Sequence, residues 1–409
     1  MSIQLSPASF LQVLSRSQLL TDEQLRDVRE SVSRNSELQT AAAISNWLIE
    51  RELITPWQAE KLCQARHRGF FLGPYKLLDR VARGGMSTIY AAIHRETGDV
   101  RALKVLPLKQ VSAASYLPRF QREASVTMRL RHPNIIRVYE VLSESDGRHD
   151  IHFMTMDLLT GRDLFDLVST DGPLPCRRAA EYIRQAAEGL QHAHDAGLVH
   201  RDVKPGNLFL EAGSETIRVL DLGLAQEFDS EENLTQEFNE RVLGTADYLS
   251  PEQAADSHLC DHRADLYSLG CTFYFLLTGQ PPFTDGTLVQ RIVAHQTRSP
   301  VSVTEYRNDV PDELVKILQK MMVRDRELRL QTARDAADQL KAWLVSAENE
   351  PQFDICPPNL KAAPVRTVRR SESPLEEFPR DASSAGLSRD SPVQSAALTS
   401  KAELPEVEI

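Results

Sequence analysis

The feature that most constrains what this chain can fold into is a dense run of polar and charged side chains between two short apolar segments. It reads Val199-His200-Arg201-Asp202-Val203-Lys204-Pro205-Gly206-Asn207 and is followed by Val219-Leu220-Asp221-Leu222-Gly223. Taken alone, the histidine, arginine and first aspartate could be an ordinary charged triplet on the surface. Together with the lysine, the asparagine and the second aspartate at this spacing, they indicate a loop that a larger scaffold holds in place for chemistry.

These residues resemble the motifs of the eukaryotic-like (Hanks-type) protein kinase family, in the form found in bacterial serine/threonine kinases. The resemblance covers roughly residues 75–344 of the 409. The Gly84-Gly85-Met86 sequence and the Lys-Pro-Gly-Asn loop look like the bacterial members, and the segment ending in Leu72-Gly73-Pro74-Tyr75 resembles leaders before some of them. The resemblance implies an α+β, bilobal protein kinase fold with a small antiparallel-sheet N-lobe and a mainly helical C-lobe.

The resemblance also implies a role for each polar residue of the run. Asp202 matches the catalytic base that accepts or orients the substrate hydroxyl, and Lys204 matches the lysine that steadies the transferring phosphate. Lysine at this position is the serine/threonine pattern. Asn207 and Asp221 match the pair of oxygen ligands that holds Mg²⁺, a hard cation. Thr245 matches the substrate-facing threonine, which would bridge Asp202 and Lys204.

The upstream strands are expected to hold ATP. Ala102 and Lys104 lie two residues apart on a strand and therefore share one face. Lys104 matches the lysine that contacts the α- and β-phosphates, and Ile89 on the preceding strand would join Ala102 above the adenine. A buried lysine needs a partner, and Glu123 on the following helix is the candidate. The alternative is that both side chains are solvated.

The glycine-rich loop is the least complete match, because Ala82 and Ser87 stand where the family has its first and third glycines. Gly84 keeps the middle position, where a missing Cβ lets backbone N–H groups approach phosphate; by itself, the Gly84-Gly85 pair could be only a hairpin turn. The remaining expected ATP contacts are Val81, Ala82, Arg83, Gly84, Gly85, Met86 and Ser87 in this loop, Met156, Asp157 and Leu159 at the hinge, and Phe209 below the adenine. Ordinary packing in the core would also account for Met156 and Phe209.

Two further matches to the family indicate structural rather than catalytic roles. Glu252, in Ser250-Pro251-Glu252, is expected to pair with Arg329. Asp265 matches the helix aspartate that steadies the catalytic loop.

The segment before Thr245 carries Ser230 and Thr235 among six acidic residues. In the family, the arginine before the catalytic aspartate, here Arg201, often binds a phosphate on this segment. We hypothesise that an acid such as Glu237 partly replaces that phosphate, with Thr235 as an auxiliary site. A simple solvated acidic loop is the alternative.

The flanking regions differ from the kinase-like part. Residues 1–70 read as a small helical module, with capping-box starts at Thr21-Asp22-Glu23-Gln24 and Thr55-Pro56-Trp57-Gln58. Either a protein partner or a structural role as a cap on the next domain would explain the module. Residues 347–409 are rich in proline, serine and charge, and predict a disordered tail because they cannot bury enough apolar surface to order themselves.

Composition argues against several other classes of protein. The net charge of -11 argues against a general nucleic-acid binder. The five cysteines are scattered without metal-binding spacing, which is typical of reduced thiols. No apolar run is long enough for a membrane span, and Met1-Ser2-Ile3-Gln4 lacks the layout of a signal peptide. We therefore expect a cytoplasmic protein.

The pattern predicts a serine/threonine protein kinase that uses ATP and Mg²⁺ and also phosphorylates itself. The first alternative is a pseudokinase scaffold, which only the glycine-loop departures favour, since Lys104, Asp202, Asn207 and Asp221 are all present. The second is a small-molecule kinase of the same fold, against which Thr245 and the Ser250-Pro251-Glu252 motif favour protein substrates.

Overall fold

The computed structural model describes residues 5–83, 87–106, 124–145, 150–222, 246–256, 260–348 and 350–354. Several residues with a predicted role lie outside these ranges: Gly84, Gly85, Met86, Glu123, Ser230, Thr235, Glu237, Thr245 and the part of the tail after Asp354.

The N-terminal region is helical, as its sequence predicts. Its helices are α1 (Pro7–Ser17), α2 (Asp22–Arg34), α3 (Ala41–Glu50) and α4 (Pro56–Cys63). Both predicted capping boxes form: Thr21 and Gln24 cap α2, and Thr55 and Gln58 cap α4, each pair exchanging side-chain and backbone bonds. These caps satisfy backbone N–H groups that an α-helix otherwise leaves unpaired.

A six-stranded antiparallel sheet follows, in the order β1-β2-β3-β4-β6-β5. Its strands are β1 (Phe71–Leu72), β2 (Tyr75–Arg83), β3 (Thr88–His94), β4 (Val100–Val105), β5 (Val138–Ser145) and β6 (Asp150–Met156). The sheet starts with the short strand β1, because Gly73 adopts a φ of +52° and lets β1 turn back onto β2. Two register shifts in β2, between Leu77 and Asp79 and between Arg80 and Ala82, mark β-bulges.

The C-terminal part is mainly helical. It also contains a three-stranded sheet of β7 (Gly161–Asp163), β8 (Leu208–Glu211) and β9 (Thr216–Val219). The helices are α5 (Leu164–Asp171), α6 (Cys176–Asp195), α7 (Pro251–Ala255), α8 (Arg263–Thr278), α9 (Leu288–Thr297), α10 (Asp312–Met321) and α11 (Ala333–Ser346). Every residue of α8 after Arg263 is buried, including the charged Asp265.

The first described residues of the predicted tail contact two helices of the C-terminal part. Residues Pro351–Asp354 form a 3-10 turn, and the Phe353 ring lies 5.6 Å from the Trp343 ring of α11. The Asp354 carboxylate lies 2.7 Å from Nε of Arg177 on α6. This aromatic contact and this ion pair supply the anchoring that proline content alone does not reveal.

No helix among the described residues is long and apolar enough to cross a membrane.

Candidate active site

The predicted catalytic loop brings three polar side chains together in the turn before β8. Lys204 Nζ lies 2.9 Å and 2.8 Å from the two carboxylate oxygens of Asp202. Asn207 Nδ2 donates to the Asp202 carbonyl at 2.7 Å and to its Oδ2 at 3.0 Å. Asp202 is 8% exposed and Asn207 9%, so the carboxylate is held in a nearly dry setting where each of these bonds is stronger than in water.

The backbone of this loop is held by the carboxylate of Asp265 on α8. Its carboxylate accepts the backbone N–H groups of His200 at 2.8 Å and Arg201 at 2.7 Å. Arg201 has a φ of +64°, a left-handed conformation that a residue with a Cβ rarely adopts. The two bonds from Asp265 stabilise that strained turn, in agreement with the scaffold role that the sequence predicts for this aspartate.

The buried aspartate also has a second partner that the sequence does not reveal. His194, at the end of α6, places Nε2 2.8 Å from Asp265 Oδ2. Burial works to raise the pKa of Asp265, but the hydrogen bond and charge of His194 and the N–H of His200 outweigh it and hold the pKa below its usual range. The signal available in the sequence is a histidine in the last turn of a helix just before the catalytic loop.

His200 links the loop to the segment that carries Asp221. Its Nδ1 accepts the Asp202 backbone N–H at 3.3 Å, and its Nε2 lies 2.9 Å from the Leu220 carbonyl. Since Nδ1 is the acceptor, the proton sits on Nε2 and donates to that carbonyl. The fully buried histidine therefore joins the Asp202 turn to the strand end at Leu220.

Across the cleft, Lys104 of β4 meets Asp221. Lys104 Nζ lies 2.5 Å from Asp221 Oδ1, and the lysine side chain is only 7% exposed. Asp221 has a φ of +54°, so its backbone is held in the left-handed region, where such strain often accompanies function. The structure thus gives Lys104 a carboxylate partner, while the predicted partner, Glu123, lies outside the described residues.

The strands of the N-lobe place the predicted adenine-facing residues next to one another. Ala102 is opposite Met156 and Lys104 is opposite Ile89 in the ladder of the sheet. Ala102 and Met156 belong to one apolar cluster, against which Ile89 and Leu159 pack. Of the other predicted residues in this region, Ser87 is half-buried and Val81, Ala82 and Arg83 form the end of β2, where Val81 is exposed.

The hinge after β6 is held by Asp157, whose backbone N–H donates to the Arg137 carbonyl at 3.0 Å. Its carboxylate accepts the Tyr139 hydroxyl at 2.7 Å. Gly161, which no sequence motif singles out, is packed so closely that a Cβ would lie 2.1 Å from the Leu210 carbonyl and 3.0 Å from the Phe209 ring. Its φ of +147° also favours glycine. Gly161 therefore lets the hinge approach β8, where Phe209 is expected to close the pocket.

Two contacts tie the start of α7 to the catalytic loop and to the rest of the C-lobe. Gln253, which caps α7 with Ser250, donates from Nε2 to the Arg201 carbonyl at 2.7 Å. Glu252 and Arg329 form the predicted pair through two parallel bonds of 2.6 Å and 3.0 Å. This bidentate geometry is the strong form of an arginine–carboxylate contact.

Comparison with known proteins agrees with this geometry. Residues 75–341 match the family described as the protein kinase domain. The chain is 35% identical over 265 residues to the serine/threonine-protein kinase PknB of Mycobacterium leprae, covering 64% of this chain and 41% of that protein. It is 35% identical over 284 residues to PknB of Mycolicibacterium smegmatis, covering 68% of this chain and 44% of that protein. The chain thus spans less than half the length of these relatives.

The same likeness extends to a solved structure. The crystal structure of the Mycobacterium tuberculosis PknI kinase domain superposes with a TM-score of 0.53 at 27% identity, covering 67% of this chain and 98% of that chain. The family match, these two relatives and the loop geometry show that this chain belongs to the Hanks-type family of bacterial serine/threonine protein kinases.

Proposed function

We propose that this chain transfers the γ-phosphoryl group of ATP to serine and threonine hydroxyls of proteins, its own among them. The observation that carries the proposal is the presence of two charged clusters: Asp202 with Lys204 and Asn207 on the loop, and Lys104 of β4 with Asp221. Phosphoryl transfer needs positioned phosphates, an oriented hydroxyl and charge stabilisation, and these residues supply each of them.

Asp202 is the proposed catalytic base. Its carboxylate is nearly buried, and the bonds from Lys204 and Asn207 fix its orientation. Lys204 lies within hydrogen-bond reach of the same carboxylate and would stabilise negative charge on the transferring group. Thr245, outside the described residues, is proposed to bridge these two side chains as substrate binds.

The donor set at the metal position fits Mg²⁺. Because Asn207 uses Nδ2 for both of its bonds to Asp202, its Oδ1 remains as the amide's oxygen donor. Asp221 supplies a carboxylate, of which Oδ1 contacts Lys104. Two oxygen ligands of this kind, with water and phosphate oxygens completing the shell, suit a small hard cation. Mg²⁺ held there would neutralise phosphate charge.

The nucleotide is proposed to lie between the apolar cluster and Lys104. Ala102, Met156 and Ile89 would cover the adenine, while backbone groups of Asp157 and Leu159 would meet its edge. Phe209 would close the pocket from below, and the residues from Val81 to Ser87 would cover the phosphates. Glu123, outside the described residues, is proposed to pair with Lys104.

A scaffold without phosphoryl transfer is the competing function. It would be favoured by loss of the lysine or of a carboxylate, yet Lys104, Asp202 and Asp221 are present and are placed in contact with charged partners. The identity to PknB relatives supports an active enzyme in the same way. Location in the cytoplasm and a protein partner for the N-terminal helices stay predictions from the sequence.

The test is transfer of labelled phosphate from ATP to the protein itself and to a generic protein substrate, with and without Mg²⁺. We expect Mg²⁺-dependent label on serine and threonine, and none in Asp202→Asn. ATP binding without incorporation in the parent protein would contradict the proposal and favour the scaffold.

A further inference from the structure

The N-terminal helices make a polar contact with the six-stranded sheet that the proposed reaction does not use. The first turn of α4 lies against β2, and the side chain of Gln58 is fully buried there, with 0% exposure. Glutamine is mostly exposed in proteins, and a buried amide is costly unless its hydrogen bonds are satisfied. The hydrogen-bond partners of the Gln58 side chain therefore indicate the role of this contact.

Those partners lie at the first bulge of β2. Leu77 pairs with Ala92 and Asp79 with Ala91, so Leu78 is the extra residue in the strand. A bulge bends its strand and disturbs the ladder of backbone bonds. Gln58 Nε2 donates to the Leu77 carbonyl at 2.6 Å, and Thr55 Oγ1 donates to the Leu78 carbonyl at 2.5 Å.

The same two side chains cap α4, so each of them makes two bonds. Thr55 Oγ1 also accepts the Gln58 N–H at 3.2 Å, and Gln58 Oε1 accepts the Thr55 N–H at 3.0 Å. The equivalent box of α2, Thr21 with Gln24, is exposed. Capping a helix therefore does not require the bonds to the strand, which are an added function of the α4 box.

Trp57 makes the neighbouring contact with β3. Its ring lies edge-on to Tyr90, with ring centres 5.8 Å apart, and also to Phe70 at 6.0 Å. Successive side chains of a strand point to opposite faces. Tyr90 therefore lies directly behind Ile89, the residue that packs against the adenine-side cluster.

We infer that Thr55, Trp57 and Gln58 are positioning residues for the nucleotide: they clamp the bulge of β2 and the back of β3, the two strands that flank the glycine-rich loop. This inference rests on the proposed function, because it needs ATP in the cleft. It makes the first turn of α4 a part of the nucleotide-binding half, since Thr55 and Gln58 are hydrogen-bonded to β2.

The variant Gln58→Glu removes the bond to β2 but keeps the side-chain bond that caps α4. A carboxylate at this position still accepts the Thr55 N–H, as in a standard capping box, but it cannot donate to the Leu77 carbonyl. We expect the Kd and KM for ATP to rise between about 3-fold and 30-fold, the usual range for such indirect coupling. The KM for the protein substrate should not change. The matched variant Gln24→Glu, in the exposed box of α2, should leave all three constants unchanged.

A second measurement uses the intact contact and does not depend on a buried substitution. The double variant Trp47→Phe, Trp343→Phe leaves Trp57 as the single tryptophan. Titration with ATP should change its fluorescence, with saturation at the Kd that calorimetry gives for ATP. Absence of any change would overturn the inference, because a clamp on these strands must sense occupancy of the cleft.

The outcomes separate the inference from the proposed function. Unchanged ATP affinity in folded Gln58→Glu, in a protein whose parent binds ATP and transfers phosphate, overturns the clamp and leaves the kinase activity standing. Failure of the parent protein to bind ATP at all overturns both.

Discussion

Lys104 of the N-lobe sheet lies 2.5 Å from the carboxylate of Asp221, beyond the catalytic loop. The lysine is almost buried, whereas a third of the Asp221 side chain is exposed. The contact joins the proposed phosphate-binding residue to the proposed metal ligand. It therefore keeps a buried cation paired and sets both side chains at the edge of the same cleft.

Replacement of Lys104 should abolish most phosphoryl transfer while leaving the fold intact. In Lys104→Met, the aliphatic stem stays, but the positive charge near the α- and β-phosphates and near Asp221 is lost. We expect kcat to fall by about 10²-fold or more, the scale of losing one preorganised electrostatic contact. Steady-state kinetics at saturating ATP measures this.

The matched control is Lys316→Met, which removes an equal charge from an exposed position on α10. Its kcat should equal that of the parent. Equal kcat in Lys104→Met would contradict the role proposed for the pair.

The sequence predicts those parts of the fold and site that depend on local patterns. The capping boxes at Thr21 and Thr55 are encoded within four residues and form as predicted. The Glu252–Arg329 pair is also predictable, but only through the family resemblance, since no local pattern joins residues so far apart. What the sequence does not predict depends on contacts between distant segments, such as His194 with Asp265.

The N-terminal helices illustrate the same limit. The sequence shows that Thr55 and Gln58 can cap α4, but not that their second bonds go to Leu77 and Leu78. A bulge in β2 is invisible to the alternation of side chains, because it is defined by its pairing with β3. The contact between the Phe353 and Trp343 rings is likewise not visible in the composition of the tail, because it joins residues ten positions apart.

Gly161 provides a test of the hinge. In Gly161→Ala, the added Cβ would lie 2.1 Å from the Leu210 carbonyl, so the chain between Asp157 and β7 must move away from β8. We expect weaker ATP binding together with a loss of stability of about 1–3 kcal/mol, the usual cost of overpacking. Calorimetric titration with ATP and denaturant unfolding measure the two effects.

Gly98→Ala is the comparison for this variant. Gly98 also has a positive φ, +76°, but no atom lies within 4 Å of the place that a Cβ would take. It should lose stability through backbone strain alone, about 1 kcal/mol, without a change in ATP affinity. Unaltered ATP binding by Gly161→Ala would remove the hinge role.

Arg329 tests whether the buried ion pair needs a planar guanidinium. Besides its two bonds to Glu252, Arg329 donates to the carbonyls of Val323 and Arg263. Lysine keeps the charge but cannot reproduce this fork of donors. We therefore expect Arg329→Lys to lower the free energy of unfolding by about 3 kcal/mol, as for a broken buried pair.

Denaturant titration measures that loss, and Arg34→Lys is its control. Arg34 pairs with Glu30 on the exposed face of α2, where its side chain is 75% exposed. Such surface pairs contribute less than about 1 kcal/mol. Similar losses in the two variants would show that the Glu252 contact has no special importance.

His295 of α9 predicts how stability depends on pH. The side chain is completely buried, with Nδ1 3.0 Å from the Tyr267 hydroxyl, and burial lowers its pKa from 6.5 to about 4. The folded protein therefore binds this proton less readily than the unfolded chain does. Above pH 6.5, His295 is neutral in both states and does not reduce the free energy of unfolding. As the pH falls from 6.5 to 4, this free energy falls by about 3 kcal/mol in total.

The neighbouring Asp247 titrates in the opposite sense, because burial raises its pKa to about 6 in spite of Arg291. Its ionisation costs stability as the pH rises from 3.8 to 6, so the parent protein alone gives a mixed profile. The informative quantity is the difference in unfolding free energy between the parent and His295→Gln, which cannot titrate. We expect this difference to fall by about 3 kcal/mol between pH 6.5 and pH 4, measured by urea titration at each pH. A difference that stays constant over this interval would mean that His295 is protonated as easily in the folded protein as in the unfolded chain.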